Sequence, residues 1–433
     1  MSQKITAIIV GAGHRALLYS QYALEHPDEF QIVGVADPNP LRRRITADMH
    51  HIPAERCFES AEQLAKQPKL ADAVINGTMD REHVATSIPL LRLGYDMLLE
   101  KPFAINEEEM WELHRAVKET GRKVMICHVL RYAPFYRDIK RRLLAGEIGN
   151  IVNIQATEHV SYHHYSVAYL RGKWNNEQEC GATMLLAKCC HDMDLIMWLK
   201  SGVMPRQVAS FGGDFQFAPS MKPQNAGTRC MVDCPIEDQC LYSAKKLHID
   251  RPDRWSFYVW DDNLIHKENP TLEDKVQSLK TDNPHGLCAW DCGHTVVDHQ
   301  SVLLQFADSA TATLNMIGGT AKPERNLHII GTLGEIRGTF DDSIYTVRKI
   351  DHSSKSGWSE ETVDLAIDGD KSGMTGSHGG GDLRLVEDFV HVLQGKEPSI
   401  SCTSIDDSVN GHLAVFLADQ ARRTGSAQVF PRL

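Results

Sequence analysis

The chain has 433 residues, 42% of them hydrophobic and 24% charged, with a formal net charge of -11. Roughly 150 residues per domain predicts two or three domains, and the acidic balance provides no basic field for holding nucleic acid. No run reaches the roughly 18 apolar residues of a membrane span, and MSQKITAIIVGAG lacks a cleavable leader pattern, so a cytoplasmic setting with reduced or metal-bound cysteines is expected.

The first expected strand is ITAIIV, residues 5–10, followed by a tight turn and a helix that offers Leu17, Leu18 and Tyr22 to a core. Gly11 and Gly13 fill the first two positions of G-x-G-x-x-G/A and Ala16 the third. Gly11 lets the chain turn, Gly13 admits a pyrophosphate, and Ala16 keeps the helix close to the sheet. The helix N-terminus then turns its amides, around Ala12, Gly13, His14 and Arg15, toward the phosphates. The next strand, QIVGVAD, ends in Asp37, near the roughly 20-residue offset at which an acid accepts hydrogen bonds from ribose hydroxyls. That carboxylate favours NAD over NADP, unless Arg42 to Arg44 fold back to receive a 2'-phosphate; the plainer reading of Asp37 is a turn acid before Pro38. ADAVING and DMLLEKP supply further strands alternating with helices, which predicts a doubly wound parallel sheet with ligands at the carboxyl ends of its strands. Thr78, Glu100 and Lys101 lie at such ends.

Several stretches together resemble the glucose-fructose oxidoreductase, inositol dehydrogenase and MocA (Gfo/Idh/MocA) family. VINGTMDREHV is similar to its fourth-strand loop, with Thr78 and His83 in place and Met79 where proline is usual. LLEKPFA carries its Glu-Lys-Pro motif at Glu100, Lys101 and Pro102. HVLRYAPFYRDIKRRLLAGEIGNIVNIQA, with Arg131 and Tyr132, resembles the crossover into a second domain, and GTLGEIRG and DDSVNGHLAVFLADQARRTG fit the C-terminal part. The resemblance implies an NAD-binding Rossmann domain over 1–130, with Thr78, His83, Glu100, Lys101 and Arg131 at the cofactor. Residues 131–433 then form a substrate-binding and oligomerisation α/β domain with an open, largely antiparallel sheet. An insertion occupies about 211–290, a C-terminal helix packs back on the first domain, and a homodimer or homotetramer is implied.

MLLAKCCHDMDLIMWL has helical spacing: Met184, Leu185, Ile196, Met197 and Leu199 make an apolar stripe, and Lys188, His191 and Asp192 share a neighbouring face. In the family this helix carries an Asp and, four residues later, a His that acts as base. His191 matches the His, but Ala187 stands at the Asp. Oxidising a hydroxyl needs a base near neutral pH and a cation for the developing alkoxide, which assigns His191 and Lys101 as catalytic. Lys188 and Asp192 are expected at the substrate. The blander readings are a snorkelling lysine, a loop-capping aspartate and a buried structural histidine. Cys189 and Cys190 read as small core fillers.

EHVSYHHYSVAYLRGKWNN adds His163, His164, Arg171 and Trp174 as expected substrate-binding residues, with a flat apolar face on Trp174 and a hydrogen-bonding fork on Arg171. A polar interdomain loop is the alternative. In the insertion, RCMVDCPIEDQC sets Cys230, Cys234 and Cys240 close together, a pattern open to a structural zinc or to free thiols. The insertion is also placed to lid the pocket. Three functions remain in view: an NAD-dependent oxidoreductase of a sugar, sugar acid or glycoside; an NAD-dependent glycoside hydrolase that oxidises, eliminates and re-reduces with retained cofactor; and a catalytically silent sugar- and NAD-binding regulator.

Overall fold

The computed structural model describes residues 3–252, 255–260, 263–264, 267, 269–365 and 377–431. β1 (Ile5–Val10), β2 (Phe30–Ala36), β3 (Cys57–Phe58), β4 (Ala73–Asn76), β5 (Asp96–Leu99) and β6 (Val124–Ile126) build the first sheet. All its pairs are parallel, in the order β3-β2-β1-β4-β5-β6. The central strands are buried on both faces, which is why they read as continuous apolar runs. Strand order reverses between β1 and β4, opening a crevice at their carboxyl ends. Gly11, Thr78 and Lys101 stand close beyond the ends of β1, β4 and β5.

The second sheet comprises β7 (Ile151–Ser161), β8 (Pro205–Gly213), β9 (His299–Phe306), β10 (Thr311–Thr320), β11 (Glu324–Gly331), β12 (Gly334–Thr339), β13 (Ile344–Ile350), β14 (Trp358–Asp364) and β15 (Gln428–Val429). Its order is β14-β13-β12-β11-β7-β10-β9-β8-β15, antiparallel except where β10 runs parallel to β7. Val302, Leu304, Leu314 and Met316 point to the buried face, while Leu303 on the alternate register is exposed.

The helix Met184–Leu199 lies on that buried face against β7 and β10, with the helix Ile405–Thr424 packed beside it. Thr183 starts it by accepting from the Leu186 amide at 3.1 Å. Every residue except Lys188 is buried. The helix, expected from sequence to bury one apolar stripe, is therefore enclosed on all sides, clamped between a sheet, a second helix and another domain, with its polar residues buried too. The helix Gly381–Leu393 returns to pack on His14–Glu25 in the first domain.

Between Gly213 and His299 the described residues form loops and short helices. Among the described residues no group of three or more His, Cys, Asp or Glu side chains is disposed to hold a metal, so the zinc expectation at Cys230, Cys234 and Cys240 is corrected. The insertion has another staple. The buried Arg171 donates from Nη2 to the Tyr242 carbonyl at 2.7 Å and from Nη1 to Ser166 Oγ at 3.1 Å. Arg229 Nη1 bonds the carbonyls of Leu279 and Asn283 at 2.7 and 2.9 Å. The Asp233 carboxylate accepts from the amides of Thr228 and Arg229. Cys230 lies against Arg171 and the Leu287 carbonyl, and Cys240 Sγ accepts from the Tyr242 amide. All eleven cysteines are free thiols.

Candidate active site at the domain junction

The glycine turn is shaped for close backbone approach. Gly11 has φ +79°, and a Cβ there would stand 2.6 Å from the Thr78 amide nitrogen. Gly13 caps the helix His14–Glu25 in extended backbone, with open space where its side chain would be. Those two features fit a dinucleotide pyrophosphate at the helix N-terminus. Asp37, beyond the end of β2, is buried and accepts from the Ala12 amide at 2.7 Å and the Asn39 amide at 2.8 Å. Arg43 does fold back, but onto the Asp37 main-chain carbonyl at 2.5 Å.

Behind the turn lies a charged lock. Arg15 donates to Glu100 at 3.1 Å and to Tyr19 at 2.6 Å, and pairs with Asp382 of the returning helix. Burial alone would raise the Glu100 carboxyl; the charges of Arg15 and Lys101 and the Tyr19 hydroxyl outweigh it and hold the pKa below the usual range. Glu100 and Arg15 thus brace the strand end that carries Lys101. His83 is a clasp: its ring nitrogens lie 2.7 Å from the Pro102 carbonyl and 3.1 Å from the Thr78 carbonyl, tying two crevice loops together. The Thr78 hydroxyl turns inward to Asn76 Oδ1 at 2.8 Å.

Across the junction, Lys101 Nζ donates to the backbone carbonyl of Ala187 at 2.9 Å. The lysine at the end of a Rossmann strand therefore meets the second-domain helix one turn before His191. It does so at the residue where the family resemblance calls for an aspartate, a place taken here by main chain. The His191 ring meets His128 edge-on at 5.7 Å, and His128 meets His412 at 5.6 Å. His412 in turn packs on Phe103 at 3.9 Å. Burial, then Arg131 and Lys101, push the His128 pKa well below normal, and burial, then His128, does the same to His412. Both are neutral imidazoles at pH 7.

Arg131, expected at the cofactor, is instead buried in a two-pronged pair with Asp194 of the helix Met184–Leu199, Nε–Oδ2 2.7 Å and Nη2–Oδ1 2.5 Å. Lys188 and Asp192 are likewise in an ion cluster: Lys188 Nζ is 3.1 Å from Glu158, and Arg325 Nε is 2.6 Å from Glu158 and 2.8 Å from Asp192. Consecutive helical residues differ by about 100°, so Asp192 cannot share the direction of His191. Burial, then Glu158 against the pull of Arg325, takes the Asp192 carboxyl up to about 6. His163 is buried with Nε2 3.2 Å from the Leu247 carbonyl, and Arg171 is the insertion's staple. His164 and Trp174 stay at the junction. His164 stacks on Trp255 at 4.1 Å, and burial, then Lys188 and Arg325, lower its pKa. Trp174 donates to Asp80 of the first domain at 2.8 Å and stacks on Tyr169. A cavity of about 630 Å³ opens between the insertion and the end of β10, lined by Tyr162, Tyr242, Lys246, Arg251 and Gly319, and Lys101 is not among its lining residues.

Sequence reasoning missed His128, His412, Asp194, Glu158 and Arg325, whose motifs are scattered over the chain. It also missed Trp255, Phe257 and Tyr258, although aromatic residues within a polar insertion are a signal that could have drawn attention.

Residues 5–128 match the family described as an oxidoreductase family with an NAD-binding Rossmann fold, and residues 140–409 match its C-terminal alpha/beta domain. YteT of Bacillus subtilis (strain 168) is 23% identical over 385 residues, 85% of this chain and 83% of YteT. Levoglucosan dehydrogenase, solved with NADH and levoglucosan, superposes with TM-score 0.71 at 15% identity over 99% of this chain and 100% of that one. The WlbA dehydrogenase of Bordetella pertussis, solved with NADH and UDP-GlcNAcA, gives TM-score 0.67 at 16% identity over 99% of each chain.

Proposed function

This chain belongs to the Gfo/Idh/MocA oxidoreductase family, and from that premise we propose that it is an NAD-dependent oxidoreductase of a hydroxyl or keto group on a sugar, sugar acid or glycoside. The observation that carries the reading is the Lys101–Ala187 hydrogen bond, which brings a strand-end ammonium to the helix bearing His191. When bound, NAD supplies the acceptor for the hydride that leaves the hydroxyl carbon. His191 takes the hydroxyl proton as general base. Lys101 exchanges its main-chain partner for the substrate oxygen and stabilises the negative charge that develops there. With alanine at 187, the imidazole of His191 is backed by His128, which lies 3.8 Å from Asp194. The sugars bound by levoglucosan dehydrogenase and WlbA, and the flat faces of Trp174 and Tyr258, support a pyranose-like substrate. Phe211, Leu303 and Ile317, exposed on one face of the second sheet, support a subunit interface there.

Purified protein with NAD and a panel of monosaccharides, uronic acids and glycosides should gain NADH absorbance, and His191→Ala should abolish the gain while NAD affinity stays nearly intact. No absorbance change with any member, or unchanged turnover in the variant, sinks the assignment. The retained-cofactor hydrolase is the second reading, favoured by an insertion ring that covers the dinucleotide loop. Aglycone release without net NADH selects it.

A further inference from the structure

The insertion carries an aromatic turn to the domain junction. Trp255 has φ +57°, a left-handed conformation that bulky residues rarely adopt, and strain of this kind concentrates where a site needs it. From this turn three rings reach three surfaces. Trp255 stacks on His164 of the second domain, centroids 4.1 Å apart and planes at 20°. Phe257 stacks on His14 of the first domain at 4.1 Å and 12°. Tyr258 meets Trp174 edge-on at 5.7 Å, and Trp174 is itself bonded to Asp80 of the first domain. The turn is anchored from behind: Val259 and Trp260 pack with Val167 and Leu279, and the Val259 carbonyl accepts from Asn283 Nδ2 at 3.1 Å.

His14 opens the helix whose N-terminal amides face the glycine turn. A ring seated on His14 therefore covers the place where a dinucleotide's phosphates would enter. Burial, then Arg15, lowers the His14 pKa, so the partner Phe257 meets is a neutral, flat imidazole.

We propose that Trp255 and Phe257 are dinucleotide-site residues supplied by the insertion, which part to admit NAD and reseat over it, so that the cofactor is held between turnovers. This rests on the NAD reading above. The turn joins both domains and the insertion at one point, so seating it fixes all three around the bound cofactor. Releasing the cofactor then requires breaking two stacks formed with its own binding loop and with the substrate side.

The test is a chase experiment on the full chain. Protein loaded with NADH is mixed with excess NAD, and the loss of bound-NADH fluorescence gives the release rate. Phe257→Ala should release NADH about tenfold faster or more, the equivalent of one lost ring contact, and Phe257→Tyr, which keeps the ring, should stay within about threefold of the parent. Release from Phe257→Ala within about twofold of the parent overturns the proposal. Should Phe257→Ala fail to fold, hydrogen exchange on the parent chain decides: protection of residues 255–260 on NADH binding supports the clamp, and unchanged exchange overturns it. A parent chain that binds no NADH at all overturns the cofactor reading itself, an outcome distinct from fast release by a chain that does bind.

Discussion

Replacing Arg131 with methionine removes the cation that neutralises Asp194 while leaving the carboxylate in place. Both side chains are almost wholly enclosed, at 2% and 1% exposure, and two hydrogen bonds of 2.7 and 2.5 Å join them. The neighbouring imidazole, His128 at 3.8 Å, is held neutral first by burial, which the variant leaves in place, so it offers no ready countercharge. Breaking one side of such a buried pair costs about 3–5 kcal/mol. Burial already pushes Asp194 above its normal pKa, with Arg131 pulling it back. Losing Arg131 raises it further. A raised folded-state pKa gives stability that is present in full below the unfolded value near 3.8 and is lost as pH rises through the folded value. The deficit of Arg131→Met should therefore be largest at pH 7 and shrink toward pH 5. Urea unfolding followed by tryptophan fluorescence at the two pH values measures it, and the double variant Arg131→Met with Asp194→Leu should regain most of the loss. A deficit under about 1 kcal/mol, or one independent of pH, or a double variant no better than the single, would mean that Asp194 does not depend on Arg131 for its charge.

Gly11→Ala should abolish NADH binding, measured by fluorescence titration, because φ +79° and a Cβ 2.6 Å from the Thr78 nitrogen force the turn apart. Asp192, pushed up to about 6 by burial and then by Glu158, contributes stability that is present below pH 3.8 and lost as pH rises through about 6. Asp192→Asn should flatten the stability of the chain across that window in denaturant titrations, and an unchanged slope would count against the cluster. Excess chelator should leave the thermal midpoint unchanged, since Arg171 and Arg229 tie the insertion to main-chain carbonyls and no group of three or more His, Cys, Asp or Glu side chains among the described residues is disposed to hold a metal.

The first sheet could be read in advance because its signals are local. ITAIIV and ADAVING are short buried runs, Gly11 sits where φ turns positive and Gly13 where the space beside the backbone stays open, and Asp37 follows within one βαβ unit. The position of Lys101 just past β5, before a proline, was legible for the same reason. The second domain was legible only through resemblance, since its sheet joins strands far apart in the chain, as where β7 pairs with β10 and β11. Periodicity placed Lys188, His191 and Asp192 on one helix correctly, but it could not say what faced each of them. Arg325, well over a hundred residues downstream, claims Asp192. The resemblance placed Arg131 at the cofactor and Arg171 was read as a fork for the substrate, whereas burial gave each of them protein partners. Paired, hydrogen-bonded arginine is what an interior tolerates, and no spacing rule reveals the partner.

On the proposed function, one bound nicotinamide is served by groups from two domains. The most direct measurement is a crystal structure with NADH and an unreactive sugar analogue. It is expected to show the analogue's hydroxyl oxygen within hydrogen-bond reach of both Lys101 Nζ and the His191 ring, with its carbon about 3–3.5 Å from nicotinamide C4. A nicotinamide lying elsewhere, or a lysine and a histidine opening into different cavities, would contradict it.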